Sequence, residues 1–204
     1  MKGFYIVRDD SELLVEHAWK YHYLHKWPAP LSLPFGYRIE VDGQRVASDG
    51  RLYGFLVIKK LQHHRQQQLF GYDGLPTSWQ ILDLARVWIH PDLQHKQANG
   101  HALSVFSRSV SQLWQTVGQP DWRMNRLQAD WLQHHPPRFP ELPYHILLLV
   151  SYCQLDHHDG TAYKAAGFES IGLTNDGSKE IYIRRFRQPK YRWQGWYQKR
   201  LLRD

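Results

Sequence analysis

A chain of 204 residues, 42% hydrophobic, 14% aromatic and 22% charged, is long enough to bury one substantial core and too apolar for intrinsic disorder. No apolar run approaches the ~20 residues that cross a bilayer, and the start, Met1-Lys2-Gly3-Phe4 followed by Asp9 and Asp10, lacks the apolar stretch of a signal peptide, so a cytoplasmic protein is expected. The lone Cys153 excludes a disulfide framework and a thiolate zinc site, while the net charge of +7 and a pI near 9.5 suggest a polyanionic partner.

Residues 3–8 read as a first strand, and Asp9-Asp10-Ser11 offers caps for a helix over about 12–25. Pro28, Pro30 and Pro34 break any helix after it. Arg38–Val41 and Leu52–Lys60 are β-rich, with Asp42-Gly43 as a turn between them, so an antiparallel meander begins here. A Gln-rich loop at 62–68 leads to a buried-strand candidate at 80–89, ended by His90-Pro91-Asp92. Ala102, Val105, Phe106, Val110 and Leu113 then recur at helical spacing over 100–116. Residues 122–143, basic and rich in His and Pro, look like an insertion. A strand at 145–152, a short helix near 160–166 and β segments around 168–173 and 180–186 complete the chain. The order βαβββαβαβ implies a mixed α/β layout of the α+β kind. One domain over 1–183 is expected, followed by an extension over 184–204.

That extension holds eight Lys or Arg against one acid, among them Arg184, Arg185, Arg187, Lys190 and Arg192, interleaved with Phe186, Tyr191, Trp193, Trp196 and Tyr197. Cations neutralise phosphates and flat rings stack on exposed bases, so nucleic-acid contact is one reading; a solvated tail whose rings pack back on the domain is the plainer alternative.

The chemistry gathers in the second half. Gln97-Ala98-Asn99-Gly100-His101-Ala102 is a Q-x-x-G-x-A pattern between a strand and an amphipathic helix, where backbone N–H groups and the helix dipole can hold a pyrophosphate. Taken alone it reads equally as an ordinary loop with a helix-start glycine. About 60 residues on stands Tyr163-Lys164-Ala165-Ala166-Gly167-Phe168, and Tyr163 has its own plain reading as a helix tyrosine packed on the sheet.

In this order and context the two motifs resemble the pyrophosphate loop and the Tyr-x-x-x-Gly-Phe helix end of GCN5-related N-acetyltransferases (GNAT), over roughly residues 50–183. The resemblance implies a mixed, mostly antiparallel sheet flanked by helices, and acetyl-CoA or another acyl-CoA as cofactor. It makes Tyr163 the general acid for the departing thiolate and the strand near Ala85, Arg86 and Val87 the bulged strand that polarises the thioester. Cofactor contacts would then fall on Val87, Ile89, Gln97, Ala98, Asn99, Gly100, His101 and Ala102.

A narrower resemblance rests on His22-Tyr23-Leu24-His25, on Leu84-Ala85-Arg86-Val87-Trp88, and on Ser151-Tyr152-Cys153 followed by Gly160-Thr161-Ala162-Tyr163. These are similar to the Mom family, phage and prophage proteins that carbamoylmethylate adenine in DNA. It implies catalytic Arg86, Ser151 and Tyr163, with His22 and Tyr23 on the acceptor side. Gln154 stands where an acid is expected, which leaves Asp156 to take that role. Two other readings stay open: an ordinary N-acetyltransferase for a small-molecule or protein amine, and a catalytically silent DNA-binding module. Adjacent histidines such as His63-His64 and His134-His135 show no ligand spacing, so no structural metal is expected, although Asp156, His157, His158 and Asp159 could hold a catalytic one.

Overall fold

The computed structural model describes residues 3–28, 34–60, 81–94, 101–117 and 148–186. In chain order the elements are β1 (Phe4–Arg8), α1 (Glu12–Tyr21), β2 (Phe35–Val41), β3 (Gly54–Lys60), β4 (Ile81–Ile89), α2 (Pro91–Gln94), α3 (His101–Val117), β5 (Leu148–Gln154), α4 (Thr161–Ala165), β6 (Glu169–Leu173) and β7 (Lys179–Arg185). The strands form one seven-stranded sheet ordered β1-β2-β3-β4-β5-β7-β6. Every neighbouring pair is antiparallel except β4 and β5. The expected architecture, a mixed and mostly antiparallel sheet flanked by helices, is the one observed. Among the described residues no helix is long and apolar enough to cross a membrane.

Two expected boundaries differ. The helix expected to reach residue 25 stops at Tyr21, because His22 turns extended (φ −82°, ψ 137°) and its ring enters the interior at 4% exposure. Pro28 lies too far along to be the stop. His90-Pro91-Asp92, expected only to end β4, opens α2: the His90 carbonyl accepts from Leu93 N–H at 2.9 Å and its Nδ1 accepts from Asp92 N–H at 3.0 Å. Proline is at home in that first turn, where its missing N–H would have no partner anyway. The two expected β segments at the end are β6 and β7, joined by the Thr174–Ser178 turn.

Strand alternation divides the core between the two faces. One face carries Phe35, Tyr37, Ile39, Leu56, Ile58, Leu82 and Leu84 against Val105, Phe106, Val110 and Leu113 of α3. The other carries Phe55 and Val57 against Leu14 and Ala18 of α1, with Trp88 packed on them. Each fully buried side chain of this kind contributes about 1.5–3 kcal/mol, so the α3 stripe alone decides on which face that helix sits.

The sheet ends at β1, whose outward main-chain groups face no strand. Gln112 of α3 takes the place of one: its Oε1 accepts from Ile6 N–H at 2.7 Å and its Nε2 donates to the Phe4 carbonyl at 2.9 Å. Gln112→Ala should therefore cost about 1–3 kcal/mol for the two bonds. Urea denaturation checks it, and a stability unchanged within error would refute the stitch.

Candidate functional site

β4 contains one residue too many for its partner. Val57 lies opposite Arg86 and Ile58 opposite Leu84, so Ala85 is a bulge. Alternation slips by one residue at that point. Leu82 and Leu84 before it, and Val87 and Ile89 after it, all meet the α3 face. Arg86 and Trp88 consequently turn toward the α1 face, where an unbulged strand would have put Val87 and Ile89. The bulge foreseen near Ala85, Arg86 and Val87 is present, and its effect is to aim Arg86.

The parallel pair next to it parts early. β4 and β5 are in register only from Ile81 with Leu148 to Asp83 with Val150. Beyond that point β5 stays with β7, and a cleft of about 450 Å³ opens between the strand ends. His22, Tyr23, Leu84 to Ile89, Ser151, Cys153, His158 and Tyr163 are in its wall.

Ser151 bridges the gap. Its hydroxyl, 1% exposed, is 3.0 Å from the Leu84 carbonyl and 3.0 Å from the Tyr163 hydroxyl. A serine has one proton to give, so two arrangements exist. Donating to Leu84, Ser151 accepts from Tyr163; donating to Tyr163, it frees the phenolic proton for the cleft. Tyr163 is fixed by three rings: Tyr182 stacked at 5.0 Å and 14°, Phe106 edge-on at 5.4 Å, and Phe168 edge-on at 5.5 Å. Burial raises its hydroxyl well above the ordinary phenol range, with the Ser151 hydrogen bond opposing, so the oxygen is protonated at neutral pH.

The turn before Tyr163 leaves no room for a side chain. Gly160 has φ +75°, and a Cβ there would lie 1.9 Å from the Tyr182 hydroxyl oxygen. Tyr182 in turn donates to Glu180 Oε2 at 2.7 Å. Gly160 was part of a motif read from the sequence, but Tyr182 was not singled out. The signal available was register: Tyr182 pairs with Ser151 across β5 and β7 and so shares its face.

On the α1 face, Arg86 is 8% exposed; its Nε donates to the Lys26 carbonyl at 3.2 Å and its Nη1 to the Ala85 carbonyl at 2.5 Å. His22 Nδ1 accepts from Leu24 N–H at 3.2 Å, which leaves the ring proton on Nε2. Burial, with Arg86 next, pushes the His22 imidazole down to about 3. Tyr23 lies at 4.4 Å from the His22 ring and at 5.0 and 5.9 Å from His157 and His158. Burial raises the Tyr23 hydroxyl. Partial burial and then His157 lower His158, which favours its neutral form.

His22 makes stability depend on pH in a definite direction. The unfolded imidazole takes up a proton near 6.5 and the folded one only near 3, so the unfolded chain holds more protons between them. Stability is therefore full above pH 6.5 and falls as pH drops toward 3, by on the order of a few kcal/mol. Against wild type, His22→Asn should flatten this stretch of the curve in urea titrations at pH 7.5, 6 and 5. Parallel curves would exclude the effect.

Other expected residues are less central. Asp156 is exposed, 3.4 Å from Gln154 Nε2, and is not in the cleft wall; Asp159, which is, binds Thr161 N–H at 3.0 Å. Arg184 and Arg185, expected on DNA, lie in β7, where Arg184 donates to the Ala166 carbonyl at 2.5 Å and Arg185 pairs with Glu169 at 2.9 Å. Both are at the end of β7 that pairs with Leu148 and Leu149, away from the cleft. Gln97 to Gly100, the insertion at 122–143, and Arg187, Lys190, Arg192 and Trp193 lie outside the described residues. His101 and Ala102 begin α3, whose Leu103 and Phe106 face the cleft. Among the described residues no three His, Cys, Asp or Glu side chains are grouped to hold a metal ion.

No protein-family model matches the chain, and no curated protein does. Several solved structures resemble it in fold. The PaiA N-acetyltransferase of Thermoplasma acidophilum in complex with coenzyme A is 14% identical with a TM-score of 0.41, over 90% of this chain and 99% of that one. NAA60 of Arabidopsis thaliana in complex with a bisubstrate analogue is 13% identical with a TM-score of 0.46, over 89% and 95%. An acetyltransferase from Thermus thermophilus is 13% identical with a TM-score of 0.43, over 90% and 97%.

Proposed function

We propose that this protein is an acyl-CoA-dependent acyltransferase of the GNAT type, and that it uses acetyl-CoA or a related thioester to modify adenine N6 in DNA in the manner of the Mom family, whose carbamoylmethyl product needs a nitrogen donor and a two-electron oxidant besides the thioester. The observation that carries the acyltransferase reading is the bulged β4 parted from β5, with Ser151 and Tyr163 hydrogen-bonded across the opening. The residues fit such a cofactor in two respects. Beyond Asp83, β4 has among the described residues no registered strand on its β5 side; Ser151 and Arg86 take the Leu84 and Ala85 carbonyls, and the main-chain groups after them could meet a carbonyl or a pantetheine-like amide chain. The first turns of the 17-residue α3 face the same cleft, with the N-terminal end of the helix dipole favouring phosphates.

When bound, the acyl thioester would supply an electrophilic carbonyl carbon and a thiolate leaving group. Tyr163 holds the proton that such a thiolate needs. With Ser151 donating to the phenol oxygen, the Tyr163 proton points into the cleft, and after its loss the Ser151 hydroxyl still stabilises the oxygen left behind. On the opposite face His22, neutral and protonated on Nε2, orients rather than abstracts, because its other nitrogen is engaged by Leu24. His158, whose neutral form is favoured, is the wall residue suited to accept a proton from an amine.

The adenine reading is supported by the sequence motifs that meet in this cleft and by the net charge of +7. Adenine N6 is conjugated with the ring and stacked within a duplex, so the base would have to leave the stack. A second reading, an ordinary N-acetyltransferase acting on a small-molecule or protein amine, is favoured by the engagement of Arg184 and Arg185 within the fold. Nucleoside mass spectrometry on DNA from cells expressing the protein separates the two. A new modified deoxyadenosine, absent with Tyr163→Phe, supports DNA modification. An unchanged nucleoside profile alongside tight acetyl-CoA binding moves the assignment to the ordinary acetyltransferase.

A further inference from the structure

Among the described residues, Arg86 is a buried cation whose partners are all neutral. Its two protein hydrogen bonds go to the main-chain carbonyls of Lys26 and Ala85. Among the described residues no carboxylate lies within ion-pair distance of it. Asp83, the one carboxylate whose field reaches the guanidinium, is engaged with Lys59 Nζ at 3.2 Å. An unpaired charge held at 8% exposure costs several kcal/mol, and a neutral side chain of similar shape would remove that cost. Retaining the charge makes physical sense if an anion arrives from outside.

The geometry indicates what kind. A guanidinium carries five N–H groups, and the two bonds to carbonyls use Nε and one position of Nη1, so the remainder, including Nη2, is left for the cleft that Arg86 lines. Such a planar fork matches a carboxylate through two parallel bonds. His22, in the same wall and 4% exposed, has among the described residues no protein partner on Nε2–H, and its neutrality keeps the balance at one cation for one anion. Both side chains lie on the α1 face, opposite the Ser151–Tyr163 pair. A buried fork of this depth admits a terminal group more readily than the middle of a phosphodiester chain.

We propose that Arg86 and the His22 Nε2–H form a receptor for a carboxylate, carried by the molecule that enters the cleft from the α1 face. Calling that molecule the acceptor rests on the acyltransferase reading in its second form, with a small-molecule or protein amine as acceptor, since DNA carries no carboxylate; the receptor itself rests only on these contacts. The test uses the full-length 15N-labelled protein and follows the Arg86 Nε–H resonance during titration with sodium acetate, dimethyl phosphate or sodium chloride at constant ionic strength. Acetate should give a saturable shift, with an apparent affinity about tenfold above that for dimethyl phosphate, equivalent to 1.4 kcal/mol. In Arg86→Lys, which keeps the charge but loses the fork, the acetate response of the His22 ring should weaken by about tenfold, with the amide fingerprint reporting whether the fold survives. His22→Asn gives an independent readout at Arg86 Nε–H and should weaken acetate by several-fold. Equal, non-saturating responses to acetate and chloride would overturn the receptor, and stronger binding of dimethyl phosphate would overturn the carboxylate. A separate acetyl-CoA titration keeps the two inferences apart: failure to bind acetyl-CoA counts against the acyltransferase reading and leaves a saturable acetate response standing.

Discussion

Tyr163→Phe is expected to lower kcat by about 10²–10⁴-fold, the usual range for losing a positioned general acid, while acyl-CoA affinity changes little. The phenyl ring keeps the stack on Tyr182 and the edge contacts with Phe106 and Phe168, so only the hydroxyl is lost. Because burial holds that hydroxyl protonated well beyond neutral pH, the wild-type rate should not decline through loss of this proton between pH 7 and 9. Ser151→Ala should act through the same proton, with a smaller loss of kcat and an unchanged KM. Steady-state kinetics with acetyl-CoA and the acceptor amine measure both. A Tyr163→Phe rate within twofold of wild type would remove the tyrosine from the chemistry.

Gly160→Ala should be the most destabilising of the single changes considered, at about 3–5 kcal/mol, since steric overlap in a packed site adds to backbone strain. Two costs combine in it. A non-glycine residue at φ +75° costs about 1–2 kcal/mol by itself. The added Cβ would also lie 1.9 Å from the Tyr182 hydroxyl oxygen and 2.5 Å from its ring carbon, so the ring must move. Gly167 supplies the control, for it has φ +77° and nothing within 4 Å of an added Cβ. Gly167→Ala should thus show the backbone cost alone, about 1–2 kcal/mol. Equal losses for the two variants in urea or thermal unfolding would mean that Tyr182 does not press on the Gly160 turn. Since Tyr182 stacks on Tyr163, Gly160→Ala should also reduce the turnover of whatever protein remains folded.

Both predictions concern a part of the chain that local sequence made legible. Tyr163 follows a glycine at a strand-to-helix turn, and apolar runs located the strands on either side within a few residues. The meander, the α3 stripe and the hairpin of β6 and β7 were legible for the same reason, because period-2 and period-3.6 patterns are local. What local pattern cannot carry is pairing. The three-residue register between β4 and β5 that opens the cleft depends on residues more than 60 positions apart. The Gln112 stitch spans more than 100 positions and its sequence signal is a single polar residue in a helix. The stop of α1 at Tyr21 was illegible because it is set by His22 entering the interior, not by a breaker residue. Arg184 and Arg185 look like the start of a basic tail when charges are counted, yet β7 extends through them and the Ala166 carbonyl and Glu169 occupy them.

The odd residue in β4 also bears on how this chain can vary over evolutionary time. Deleting Ala85 would remove the bulge yet keep the side-chain placement, with Arg86 and Trp88 still toward the α1 face and Val87 and Ile89 still toward the α3 face. A one-residue loss at 85 thus keeps Arg86 and Trp88 on their face, whereas a loss at 87 would send Trp88 to the α3 face, so descendants of this sequence should tolerate the first and not the second.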